Sequence, residues 1–226
     1  MKKIEIKNLC KSYAEQEVLK DISFDIQGGQ VTGLIGVNGA GKSTLMKILV
    51  GIISKSSGEV LIDGYPWERK DLDRISALIE TPAIYENLSA FDNLKVKALL
   101  FGIDDGRILE TLKIVGLENT KKKSGKYSLG MKVRLGIALA LLNNPEFLIL
   151  DEPTNGLDPV GIKDLKAIIR KLADKGTAIL ISSHQLKDVK DVSDHIVMIN
   201  RGEIAYQGSV NSTEELEKVF FNIVNG

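Results

Sequence analysis

The residues with the clearest chemical meaning read GVNGAGKST and lie between the apolar run VTGLI and the helical run LMKILV. Gly36, Gly41, Lys42 and Ser43 match the pattern G-x-x-x-x-G-K-S/T, in which backbone N–H groups surround phosphates. Lys42 would bring a positive charge to the β- and γ-phosphates, and the Ser43 hydroxyl would ligate Mg²⁺. The residues of this loop predicted to bind a triphosphate are Gly36, Val37, Asn38, Gly39, Ala40, Gly41, Lys42, Ser43 and Thr44.

A pair of acidic residues follows the apolar run FLIL at residues 147–150. Proteins with such a loop hold Mg²⁺ with an Asp that ends a second buried strand, and Asp151 has that position. Glu152 comes next, and a carboxylate beside the metal-binding Asp can act as a general base toward an attacking water. Without the loop, two acids after an apolar strand would more often be a solvated strand end. The glycine loop therefore favours the catalytic interpretation.

A histidine ends a third apolar run, TAILISSH at residues 177–184. In an open α/β sheet the ligand lies at the carboxyl ends of the parallel strands, where Gly36 and Asp151 also fall. His184 at that edge can donate a hydrogen bond to a γ-phosphate and hold a water in line for attack. His195 lies inside a predicted hairpin and is interpreted as structural.

The elements that must position these residues can be predicted from hydrophobic spacing. Residues 4–26 alternate between apolar and polar, which predicts antiparallel strands, whereas the short apolar runs before the three site segments predict buried parallel strands. Residues 86–135 carry helical spacing and the helix-start residues Ser89 and Asp105, which predicts an all-helical insertion. An amphipathic helix ended by Gly176 and a hairpin turning at residues 200–202 follow. The pattern is that of an α/β protein with a parallel sheet.

Composition narrows the class of protein. The 226 residues carry 30 basic and 30 acidic side chains, so we expect no general affinity for nucleic acid. Cys10 is the single cysteine, which excludes an internal disulfide and fits a cytosolic protein. The longest apolar runs fall short of the ~20 residues that a membrane span needs, and no apolar segment follows the N-terminal lysines as in a signal peptide.

Taken together, these motifs resemble the ATP-binding subunit of ABC transporters along essentially the whole chain. The segment YSLGMKVRLGIALAL at residues 127–141 resembles the family's signature segment. The segment EPTNGLDP at residues 152–159 resembles the stretch that runs from the Walker B glutamate into the D-loop. SSH at residues 182–184 resembles the switch region that contains a histidine. The resemblance implies a P-loop NTPase fold with a RecA-like parallel core, an N-terminal antiparallel β subdomain and an inserted helical subdomain. It implies one domain over residues 4–226, with the core at about 1–85 and 136–226 and the helices at about 86–135.

The resemblance also implies a mechanism. Two copies would enclose two ATP molecules with Mg²⁺, each site joining one copy's glycine loop to the other's signature segment. Ser128 and Gly130 would contact a γ-phosphate from the second copy, Asp158 would span the interface, and Tyr13 would stack on adenine. ATP would close this homodimer and hydrolysis would open it.

The sequence departs from the family pattern at two positions. Met131 stands where the signature usually has glutamine, and it lacks the amide's hydrogen bonds. Glu80 stands where the Q-loop usually has glutamine, and it can still ligate Mg²⁺ through oxygen while adding negative charge. Glu80, YSLGMK and NLSAFDNL are similar to ATPases of lantibiotic self-immunity exporters of the nisin immunity type, and to those of bacitracin-resistance exporters.

This resemblance implies integral membrane subunits as partners and a peripheral position on the cytoplasmic face of the bacterial membrane. Residues 80–101 would present the docking groove, with Tyr85 and Phe91 receiving a short helix of the partner or, alternatively, packing the helical subdomain. Two other classes remain open. A soluble ABC ATPase would bind nucleic acid in a salt-dependent way, and a nucleotide-gated interaction module would hydrolyse little ATP.

Overall fold

The computed structural model describes residues 1–209 and 213–225. An antiparallel sheet with strand order β2-β1-β4-β5 covers one side of the molecule. Ile4 and Ile6 of β1 are buried and pair with Ile26 and Phe24 of β2, as the alternating pattern predicts. The strands are β1 Lys3–Tyr13, β2 Gln16–Gln27, β4 Ser57–Ile62 and β5 Tyr65–Pro66.

A second sheet of six strands has the order β10-β9-β3-β8-β7-β6, in which β10 pairs antiparallel to β9 and the other neighbours are parallel. Strands β3, β7 and β8 are buried along their whole length, as expected where both faces of a parallel sheet are covered. The strands are β3 Val31–Ile35, β6 Ile75–Leu78, β7 Phe147–Leu150, β8 Ala178–Ser183, β9 His195–Asn200 and β10 Glu203–Ser209.

Helices connect the strands and form the predicted insertion between β6 and β7. They are α1 Lys42–Leu49, α2 Ala90–Phe101, α3 Asp105–Ile114, α4 Leu129–Leu141, α5 Pro159–Ala173, α6 Leu186–Lys190 and α7 Thr213–Asn225, with short 3-10 turns at Arg69–Asp73 and Ser124–Lys126. No helix within 1–209 or 213–225 combines the length and apolar character that a bilayer crossing requires.

The starts of two helices in the insertion agree with the sequence prediction. Ser89 caps α2 by accepting the N–H of Asp92, and Asp105 is the first residue of α3, whose cap is the preceding Asp104. The boundary predicted near residue 135 lies inside α4, since the apolar signature helix continues to Leu141.

The hydrophobic core lies on both faces of the six-stranded sheet. Leu148 and Leu150 of β7 face the helical side, with α2 to α5, whereas Phe147 and Ile149 face α1 and the antiparallel sheet. This division follows from the two-residue period of a strand. Burying each such side chain contributes roughly 1.5–3 kcal/mol. Both faces of the sheet are therefore packed against other elements, and this packing fixes the positions of the strand ends that carry the site residues.

The α/β architecture predicted from the sequence, a parallel core with an antiparallel N-terminal sheet and a helical insertion, is confirmed.

Candidate active site

The three site segments leave the same edge of the six-stranded sheet. Strand β8 lies between β3 and β7 and pairs parallel with both, so their carboxyl ends are adjacent. The glycine loop follows β3, Asp151 follows β7 and His184 follows β8. The N–H of Gly36 donates to the carbonyl of Ser183 at 3.4 Å, which ties the loop to the end of β8.

Glycine is required at two points of the loop. A Cβ on Gly36 would lie 2.4 Å from the carbonyl oxygen of Ile199, and Gly41 has φ +108° directly before α1. A side chain is therefore excluded at the first position and strained at the second. At the tip, Gly39 has φ +82° and faces open space, which leaves the loop open on its outer side.

The Lys42 ammonium lies within the loop. It donates to the carbonyl oxygens of Gly36 at 2.7 Å and Val37 at 3.3 Å, and its side chain is 6% exposed. The ammonium therefore lies inside the curve of the loop, where it could contact a phosphate that the loop encloses.

Ser43 and Asp151 come together although they lie 108 positions apart in the sequence. The Ser43 hydroxyl donates to Asp151 Oδ2 at 2.8 Å, and Asp151 is buried. Two oxygen ligands fit Mg²⁺, which usually binds one or two protein oxygens and completes its shell with water and substrate phosphates. In the described part of the chain no cluster of three or more His, Cys, Asp or Glu forms a metal cage. The donor set therefore fits a metal shared with a bound triphosphate.

Ser182 is a site residue that the sequence analysis did not single out. Its hydroxyl donates to Asp151 Oδ1 at 2.5 Å and accepts the backbone N–H of Glu152 at 2.8 Å. It thus holds both acidic residues from the neighbouring strand. The signal was available, since Ser182 lies in the last residues of the apolar run that ends at His184, at the sheet edge where ligands bind.

Glu152 links the loop to the histidine. One carboxylate oxygen lies 3.3 Å from the Lys42 ammonium, and the other lies 2.6 Å from His184 Nδ1. The residue has φ +49°, a conformation that costs free energy for a non-glycine residue. This backbone turn, supported by the Ser182 hydroxyl, points the carboxylate toward the other site residues.

Both ring nitrogens of His184 have a neighbour within hydrogen-bond distance. Nδ1 lies 2.6 Å from a carboxylate oxygen of Glu152, and Nε2 lies 3.2 Å from the side-chain amide nitrogen of Gln185. The ring is partly exposed, so a ligand at the strand ends can reach it.

Glu80 is engaged by a lysine and does not contact the Ser43–Asp151 pair. Its carboxylate accepts a hydrogen bond from Lys47 at 2.7 Å and is 66% exposed. The hydrogen bond from Lys47 lowers the pKa of Glu80, and Glu80 raises the pKa of Lys47. The carboxylate of Asp151 also raises the pKa of Lys47, so this pair borders the site.

Tyr13 ends β1 and is 47% exposed, with the Lys11 ammonium 4.6 Å from its ring centroid. An exposed ring of this kind has room for a stacked base.

Ser128, Gly130 and Asp158 form a separate group. Ser128 caps α4 by accepting the N–H of Met131 at 3.3 Å, and Asp158 caps α5 by accepting the N–H of Gly161 at 2.7 Å. Within 1–209 and 213–225, no hydrogen bond or ion pair joins these three residues to the glycine loop. They face solvent at helix N-termini, where anions are favoured.

Tyr85 and Phe91, the two residues predicted to receive a helix of the membrane subunit, differ in exposure. Tyr85 is 56% exposed, whereas Phe91 is partly buried and packs against the helical core.

Comparison with known proteins identifies the family. The ABC transporter family matches residues 19–155. The chain is 48% identical to the lantibiotic transport ATP-binding protein SrtF of Streptococcus pyogenes, over 97% of this chain and 96% of the relative. It is 43% identical to the bacitracin transport ATP-binding protein BcrA of Bacillus licheniformis, over 89% of this chain and 68% of the relative.

Solved structures agree in fold. The ATP-binding subunit of an ABC transporter is 28% identical with a TM-score of 0.85 and covers 98% of this chain and 99% of its own. The dimeric structure of MJ0796, a bacterial ABC transporter cassette, is 25% identical with a TM-score of 0.81, over 92% of this chain and 99% of its own. The chain belongs to the ABC transporter family as one of its ATP-binding proteins, and it is an ATPase.

Proposed function

We propose that this ATPase drives an exporter that removes a lantibiotic from the cell membrane and so protects the producing bacterium. The observation that carries this proposal is the 48% identity with a lantibiotic transport ATP-binding protein over nearly the full length of both chains. The chain would be a peripheral protein on the cytoplasmic face, bound to integral membrane subunits. The similarity to a bacitracin transport ATP-binding protein supports a second candidate, a bacitracin-type resistance exporter.

Binding of the triphosphate begins with a competition for Lys42. In the structure its ammonium is shared between Glu152 and two loop carbonyls. Phosphate oxygens carry more negative charge than a carbonyl, so they draw the ammonium toward the γ-phosphate. Glu152 then loses its ion pair with Lys42, and that carboxylate oxygen is left open to the attacking water.

Hydrolysis uses Glu152 and His184 as a pair. A water oxygen attacks the γ-phosphorus, its proton passes to Glu152, and the bond between the γ-phosphorus and the bridging oxygen breaks to leave ADP and phosphate. His184 turns from Glu152 toward the γ-phosphate and holds the transferring group. The contribution of the protein is positioning and charge stabilisation, with no covalent intermediate.

Ser43 and Asp151, with Glu80 as a further candidate ligand, would hold Mg²⁺. When bound, the ion neutralises the β- and γ-phosphate oxygens as charge develops.

The complete site would require a second copy of the chain. Ser128 and Gly130 lie at the exposed N-terminus of α4, and Asp158 caps the N-terminus of α5. We propose that this surface covers the partner's glycine loop, with Tyr13 stacking on the adenine. The dimeric form of MJ0796, a structural relative, supports such an arrangement. The unit that dimerises would be a single domain over residues 4–226.

A protection assay tests the function. Sensitive cells would carry this chain with its membrane subunits, and a lantibiotic and bacitracin would be tested in parallel. We expect protection from the lantibiotic that is lost with Lys42→Ala, and peptide recovered in the medium. Protection from bacitracin alone would favour the second candidate. Protection that is unchanged by Lys42→Ala would contradict a role for ATP binding.

A further inference from the structure

A cavity of about 300 Å³ lies at the β6 edge of the six-stranded sheet, away from the glycine loop. Its walls come from the four residues of β6, from Ala83 and from one face of α4. The fit between α4 and the segment after β6 is close, since a Cβ on Gly136 would lie 2.9 Å from Pro82. This volume is at the lower limit for a small-molecule pocket, so it suits one or two side chains.

Lys97 is the charged residue that lines this cavity, and no carboxylate lines it within the described ranges. Its ammonium donates to the carbonyl of Leu139 at 2.9 Å and lies 5.7 Å from the ring centroid of Phe101. An ammonium carries three donors, so the Leu139 bond leaves two of them for another acceptor.

The surroundings make this ammonium a site for an anion. Burial lowers the pKa of Lys97, and no acidic side chain offsets that effect. Most other lysines that are partly buried have a carboxylate partner, for example Lys132 with Glu86. A cation against apolar walls gains most from a carboxylate, which supplies the missing charge and accepts the remaining donors.

We infer that the cavity receives an acidic side chain, Asp or Glu, from a cytoplasmic segment of the membrane subunit, and that Lys97 pairs with it. The inference rests on the proposed function, since it names the group by which the transporter partner is recognised. Charge complementarity selects this occupant, and the small cavity limits the contact to a short segment. The position of the cavity supports this inference as well. Ala83 in the cavity wall is two residues from exposed Tyr85, which belongs to the segment predicted to contact the membrane subunit.

A purely structural role for Lys97 is the competing explanation. Leu139 lies in the last turn of α4, whose carbonyls lack helical partners, and a cation there caps the helix. Arg107 already donates to the carbonyls of Leu141 and Leu142 at that end. A cap would affect the stability of the protein, whereas a partner site would affect association with the membrane subunit.

The test uses membranes from cells that contain this chain and its membrane subunits. Lys97→Met removes the charge but keeps the apolar stem, and Lys97→Arg keeps the charge. Lys95→Met is the matched control, since Lys95 lies on the same helix and pairs with Asp105 at 2.5 Å. We expect Lys97→Met to weaken membrane association about thirtyfold, as for loss of one partner of a buried pair. Lys97→Arg and Lys95→Met should bind like wild type, and ATP turnover of the free protein should be the same in all four.

A carbodiimide, which joins an amine directly to a carboxylate, then locates the partner. We expect mass spectrometry to find Lys97 joined to an Asp or Glu of the membrane subunit, and this product should be absent from Lys97→Arg. Normal membrane association of Lys97→Met, or a cross-link from Lys97 only to this chain's own carboxylates, would overturn the inference while leaving the proposed function intact. Wild-type protein that fails to associate with these membranes would overturn the proposed function itself.

Discussion

At the scale of single residues, Glu152 is bonded through both carboxylate oxygens, to Lys42 at 3.3 Å and to His184 at 2.6 Å. We therefore propose that one event, arrival of the phosphates, both fixes the substrate and releases Glu152 from Lys42.

Glu152→Gln keeps the shape of the side chain but removes its ability to accept a proton. We expect turnover to fall at least about a hundredfold, as for loss of a general base, while Mg-ATP binding persists and a dimer accumulates. Phosphate release and size-exclusion chromatography with Mg-ATP measure the two effects. Glu118→Gln, at an exposed position after α3, is the control. Equal turnover in Glu152→Gln would remove Glu152 as the base.

Glu80→Gln tests the carboxylate that replaces the usual glutamine. Because Lys47 lowers the pKa of Glu80, the group is ionised throughout the neutral range. We expect the Mg²⁺ concentration for half-maximal nucleotide binding to rise about tenfold, since a charged oxygen ligand is exchanged for a neutral one. Nucleotide fluorescence during a Mg²⁺ titration measures this. Glu86→Gln is matched, with 66% exposure and a lysine partner at 2.6 Å, and should behave like wild type. No difference between the two variants would contradict a metal-linked role for Glu80.

At the scale of elements, helix N-termini serve two different purposes in this fold. The cap of α2 at Ser89 is buried and bonded within its own subdomain, whereas the cap of α4 at Ser128 is exposed. Both capping bonds stabilise a helix, but only the exposed cap is free to meet a second molecule. This contrast allows a structural effect to be separated from an interface effect.

Ser89→Ala and Ser128→Ala form a matched pair for that purpose. Each should cost about 1 kcal/mol of unfolding free energy, as for loss of a serine cap. Only Ser128→Ala should also weaken dimer formation with Mg-ATP, because its hydroxyl is proposed to reach the partner's γ-phosphate. Denaturant unfolding and analytical ultracentrifugation, the latter in the Glu152→Gln background, provide the two readouts. Equal dimerisation of both variants would show that Ser128 acts only as a cap.

At the scale of the whole molecule, the two sheets must stay packed for the strand ends to align. His195 of β9 lies between the sheets beside Asp25 of β2, in a cleft that both line. Burial lowers the pKa of His195 below its ordinary 6.5, and the charge of Asp25 only partly opposes this. The histidine is therefore held neutral by the packing of the two sheets.

This packing predicts a pH dependence of stability. Below pH 6.5 the unfolded chain binds a proton at His195 that the folded protein resists, so unfolding free energy falls as the pH falls through that window. Above pH 6.5 His195 is neutral in both the folded and the unfolded chain, so it no longer lowers the unfolding free energy. We expect His195→Gln to flatten the slope of unfolding free energy against pH below pH 6.5 in urea unfolding, with a constant difference from wild type above it. Parallel slopes in the two proteins would contradict the prediction.

The sequence alone determined the fold and most of the residues gathered at the strand ends. Spacing within GVNGAGKST, the apolar runs before Asp151 and His184, and the rule that parallel strands end at one edge were sufficient for that. Local patterns carry this information because glycine conformation, strand period and helix caps depend on neighbouring residues. The bounds of the helical insertion depend on packing, and the boundary predicted near residue 135 lies inside α4, which continues to Leu141.

The tertiary structure decided which side chains pair with each other. The bonds of Ser182 to Asp151, of Lys47 to Glu80 and of Lys97 to Leu139 join residues 31, 33 and 42 positions apart in sequence. Such pairs form only after packing has set the distance between elements and the rotamers that fit there. For that reason a motif predicted which groups the site contains, and the folded protein decided that Glu152 is held by the Lys42 cation and that Lys97 lines a cavity whose described walls hold no carboxylate.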